Sequence, residues 1–126
     1  MDGQTLLAGL ADGSLPPQAF SHRNHVRAAW QCLVDSGDQA PDRFLGLLAA
    51  YTRSLGAEAK LHVTLTRALL RLIDARRREG EDWVAFAARN PALFDDARAL
   101  LARHYSDEAL AEGRNAYIAP DRLPLP

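Results

Sequence analysis

Phe44, Leu47, Leu48, Tyr51 and Leu55 recur at i, i+3, i+4, i+7 and i+11, a spacing that gathers them into one apolar stripe only on a helical backbone. Two neighbouring segments carry the same period. With Ser21 as a cap, steps of about 100° per residue place His22, His25, Val26, Ala29, Trp30 and Leu33 on one half of a helix, opposite Asn24, Arg27 and Gln31. Further on, His62, Leu65, Thr66, Leu69, Leu72 and Ile73 form a stripe opposite Thr64, Arg67, Arg71 and Arg78. Short connections between the three segments predict antiparallel neighbours in an up, down, up order. That order brings His22, His25 and His62 to the same end of a bundle.

Glycine, proline and capping residues set the remaining boundaries. Thr5, Leu6, Leu7 and Leu10 predict a short first helix, stopped by Asp12-Gly13-Ser14. Phe20, just before the Ser21 cap, is placed to fold back on the first turn of the histidine helix. A third helix runs from Asp42 to about Leu55 and stops at Gly56. A fourth runs from Ala57 or Glu58 to Arg78, ending in three arginines suited to the negative end of a helix dipole. Asp82 caps a fifth helix, Pro91 opens a sixth through about His104, and Ser106-Asp107-Glu108 opens a last short one ending near Gly113. Residues 119–126 hold three prolines and are expected to lie extended. The expectation is an all-α, single-domain helical bundle over 1–126, of about five to seven helices, with an extended proline-rich C-terminal tail.

Composition narrows the function classes. The chain has 126 residues with 48% hydrophobic and 25% charged, ordinary values for a globular domain. A net charge of −1 gives no global attraction to nucleic acid or an anionic membrane. Acidic Asp74, Glu79, Glu81 and Asp82 interrupt the arginines of the fourth helix, which reads as a solvated face. No basic start, signal-like run or membrane span is visible, and the single Cys32 suits a reducing cytoplasm, as a buried, inert thiol. The aromatic residues fall at core spacing. No Gly-rich phosphate loop, serine triad or paired-carboxylate motif appears.

The chemistry with the widest scope rests on the histidines. Neutral imidazoles at His22, His25 and His62 would hold a divalent transition metal, zinc or copper ahead of iron, with an open position for water or a small-molecule substrate. Glu58, one turn before His62, would supply a carboxylate that suits iron, and Thr66 a hydrogen bond behind the ligand. His104 is a candidate fourth ligand. Arg114 would bind a substrate carboxylate or tie the tail to the body. The competing expectation is a non-catalytic helical interaction or dimerisation module, in which the same histidines serve packing and hydrogen bonding.

Phe20-Ser-His-Arg-Asn-His-Val-Arg-Ala-Ala-Trp30, His62-Val-Thr-Leu-Thr66, His104-Tyr-Ser106, Arg114, Pro120-Asp121 and the terminal Leu-Pro together resemble a family of small bacterial helical proteins without a settled activity. The likeness runs from Leu15 onward. Many sequences of that family carry a glutamate after the third histidine, where this chain has Val63.

Overall fold

The computed structural model describes residues 1–126. It is all-α, as the periodicity predicts, and resolves into two compact units, Met1–Leu61 and His62–Pro126. No helix is long and apolar enough to cross a membrane.

In the first unit, α1 spans Gly3–Asp12, and the Asp2 carboxylate accepts the Thr5 amide at its start. Gly13 ends it at φ 75°, a conformation that favours glycine. A 3-10 turn at Pro17–Ala19 leads into α2, His22–Ser36, where the Ser21 hydroxyl accepts the Asn24 amide at 3.2 Å. After a second 3-10 turn, α3 runs over Ala40–Ser54. The three helices pack pairwise, and Leu6, Leu10, Val26 and Phe44 are wholly buried. Tyr51 stays in this apolar setting because its hydroxyl donates to the Leu15 carbonyl at 2.7 Å.

In the second unit, α4 spans Val63–Arg76, α5 Trp83–Arg89, α6 Ala92–Asp95, α7 Ala97–Ala102 and α8 Asp107–Glu112. Asp82 and Ser106 cap α5 and α8 through the Ala85 and Ala109 amides, as their sequence positions predict. Trp83 packs against Phe86 and, edge-on, against Phe94. Arg89 pairs with Glu81 and donates to the Arg76 carbonyl, which ties the end of α5 to the end of α4 and to the turn between them.

Two boundaries differ from expectation. The predicted sixth helix is broken at Asp96, whose backbone leaves the helical region between α6 and α7; an aspartate side chain competes for local backbone bonds and holds a helix interior poorly. The fourth helix does not begin at Ala57 or Glu58. Residues Glu58–Lys60 form a separate 3-10 turn, Leu61 is extended, and His62 caps the helix from outside it. Glu58 is exposed on that turn and does not sit one helical turn before His62.

Candidate functional site

The four histidines occupy three different settings. His22 and His25 lie on the first turn and a half of α2, in the first unit; His62 and His104 belong to the second. Within each unit, no three His, Cys, Asp or Glu side chains gather where they could hold one ion.

His25 sits among aromatic rings. Phe20 stacks on it at 5.1 Å with the rings 19° apart, and Phe44 meets it edge-on at 5.4 Å. Phe20 in turn meets Tyr51 edge-on at 5.6 Å. Counting from the Ser21 cap, Phe20 is the residue before it and His25 the fourth helical residue, so the expected fold-back of Phe20 is present with an imidazole as its partner. Loss of hydration, with a smaller contribution from neighbouring His22, pushes the His25 imidazole down to about 4 from its ordinary 6.5. The ring is therefore neutral near pH 7. His22 is exposed at the first position of the helix.

His62 is fully engaged. Its Nδ1 accepts the Leu65 amide at 3.1 Å, and its Nε2–H donates to the Leu110 carbonyl at 2.7 Å. One neutral tautomer satisfies both bonds. Burial holds its pKa below 6.5, opposed by the bond to Leu110, while the positive charge of Arg114 lowers it further. His62 would reach a metal only by giving up the cap, the link to α8, or both.

The bonds around His62 settle where the free amides of α4 go. Val63 N–H donates to the Arg114 carbonyl at 2.8 Å and Thr64 N–H to the Gly113 carbonyl at 3.1 Å; Leu65 uses the His62 ring, and Thr66 the His62 carbonyl. The end of α8 thus closes the start of α4, and no amide is left over at that terminus. Thr66 Oγ1 donates to the His62 carbonyl at 2.7 Å, so it supports the helix and not the imidazole. Arg114 contributes its carbonyl to the same joint.

Thr64 corrects a further expectation. A helix starting near residue 58 would put it on the wet face, yet it is wholly buried. Its hydroxyl donates to the Ala116 carbonyl and accepts the Ile118 amide, both at 3.1 Å. Gly113 makes this approach possible, since a Cβ there would fall on Thr64 Oγ1 and lie 2.8 Å from Thr64 Cβ.

His104 is likewise occupied. Its Nδ1–H donates to the Leu123 carbonyl at 2.9 Å, and its own carbonyl accepts the Arg122 amide at 3.0 Å. Beside it, Tyr105 donates to the Ile118 carbonyl at 2.7 Å, while the Ser106 amide and hydroxyl both donate to the Asp121 carboxylate. Those bonds hold Asp121 below the usual carboxylate range. Thr64, Tyr105, Ser106 and Asp121 were not among the candidate site residues. Their signal lay in the spacing of His104-Tyr-Ser and Pro-Asp, which suits a clamp between two segments better than a ligand set. No family model, curated protein or solved structure matches this chain.

Proposed function

We propose that this chain is a non-catalytic helical interaction module whose histidines serve packing and hydrogen bonding. The observation that carries the reading is His62, whose two ring nitrogens are both bonded inside the second unit, to Leu65 and Leu110. Three further features support it. His104 bonds to Leu123, Thr66 to the His62 carbonyl, and the Arg114 carbonyl to Val63, so three of the residues expected to support a metal site work as joints of the fold. The test compares metal content and stability of the parent and His62→Ala. This reading expects an earlier melt and unchanged metal content; loss of stoichiometric metal from a still-folded His62→Ala protein would refute it.

A second reading is favoured by the placement of His25 one turn from His22 on the same helix, where two imidazoles would meet a divalent transition metal. Zinc or copper would suit a pair of imidazoles, with iron requiring a carboxylate. Elemental analysis of protein purified without tag or chelator, beside a His22→Ala, His25→Ala variant, decides it: metal in the parent and none in the variant supports the site, and metal in neither after incubation with zinc, copper and ferrous iron removes it.

A further inference from the structure

Residues 114–126 contain no helix or strand and are mostly exposed, yet they are held along their length. Thr64 and Tyr105 hold the main chain at 116 and 118, His104 holds it at 122 and 123, and the Arg71 guanidinium bonds the Pro126 oxygen at 2.6 and 3.2 Å. Side chains of the segment are read as well: the Arg122 guanidinium donates to the Ala102 carbonyl at 2.8 Å, and the Tyr117 hydroxyl accepts from Tyr105 at 3.4 Å. Asp121 is gripped by Ser106, and Leu125 packs against the cluster of Ala68, Tyr105 and Ala109. Such a seat reads an irregular, bent chain with a carboxylate three residues after an anchoring carbonyl and an apolar residue four beyond it.

The segment itself is mostly exposed, and its hold combines the buried hydroxyls of Thr64 and Tyr105 with exposed hydrogen bonds and one leucine. An exposed segment without helix or strand opens locally at lower free energy than the whole fold. Thirteen residues can span about 40 Å when extended, enough to leave one molecule and lie on another. Exchange between copies would remake every bond that the opening breaks, which is the condition under which swapped pairs form readily.

We propose that the face of the second unit formed by Thr64, Arg71, His104, Tyr105 and Ser106 is an exchangeable seat, and that its occupant in trans is segment 114–126 of a second copy of this chain. The proposal rests on the reading of the chain as an interaction module and names its partner. The Asp121–Ser106 grip and the Leu125 anchor supply register, since they fix which residue lies at which bond.

Two full-length variants test it. Asp121→Ala with Leu125→Ala weakens the segment and leaves the seat intact; Thr64→Val with Tyr105→Phe weakens the seat and leaves the segment free. Each alone should sediment as a monomer, and an equimolar mixture at about 100 µM should form a one-to-one pair at least about tenfold more abundant than self-pairing of either. Absence of the pair, with both variants retaining parental helical content, overturns the proposal. If the seat variant does not fold, Tyr105→Phe alone replaces it. A labelled peptide of residues 116–126 added to the segment variant is the second arm. Peptide binding without pairing of the two proteins also overturns a second copy as the occupant. The metal content of the parent is read separately, so failure here and failure of the functional reading are distinguishable.

Discussion

His25 makes the fold acid-sensitive in a calculable way. The imidazole is held down to about 4 from 6.5, chiefly by burial, so the folded chain keeps it neutral where the unfolded chain would take up a proton. A depressed folded value means the stability is fully present above 6.5 and is lost as pH falls toward 4. At about 1.4 kcal/mol per pH unit the gap amounts to about 3 kcal/mol, and because part of the residue still meets water we expect about 2–3. His25→Phe keeps a ring against Phe20 and Phe44 and removes the proton site. Urea unfolding of parent and variant at about pH 7.5 and about pH 4, followed by circular dichroism, isolates the term as a difference of differences. His62 is depressed too, but it is common to both proteins and cancels. The parent should lose about 2–3 kcal/mol more than His25→Phe over this range. Equal losses, or a His25 proton titration near 6.5, would refute the argument.

Three other outcomes follow from the second unit and from α2. Gly113→Ala drives a methyl group into buried Thr64 and breaks its bonds to residues 116 and 118, so it should cost about 3 kcal/mol in chemical denaturation; an unchanged midpoint would refute the close approach. His62→Ala should cost about 2 kcal/mol, and His62→Asn about half as much, because an asparagine oxygen can still accept the Leu65 amide; an asparagine no better than alanine would contradict the capping role. Cys32 is wholly buried, and burial pushes its thiol up to about 11, so it should resist a disulfide reagent in the folded protein and react at the rate of unfolding; rapid modification under native conditions would show that the site opens.

The first unit was largely legible because its signals are local. Ser21 caps α2 within three residues, Phe20 reaches His25 across one turn, and Phe44, Leu48 and Tyr51 of the α3 stripe need only their period, although Leu55 falls past the helix end and is exposed. The start of α4 was not legible, because the residues that fix it lie far away in the chain. The Leu110 carbonyl that takes the His62 ring is 48 residues downstream, and the Thr64 hydroxyl finds its partners 52 and 54 residues on. A wheel drawn from residue 58 places Thr64 in water because the wheel has no knowledge of Gly113. Histidine on an apolar stripe has the same appearance in sequence whether it binds an ion or caps a helix. Its two nitrogens differ only once their partners are in place.

The joint between the beginning of α4 and the end of α8 also sets an order of events during synthesis. Val63 and Thr64 leave the ribosome about 50 residues ahead of the carbonyls of Gly113 and Arg114 that receive their amides. Until those carbonyls emerge, the Val63 and Thr64 amides have water for their partners and the start of α4 should fray, even though its apolar stripe is complete. Closing so long a loop is entropically slow compared with forming any one helix. Maturation of the second unit should therefore wait on its last helix, and a nascent chain stalled just before residue 113 should carry α4 with an open, exchange-labile start.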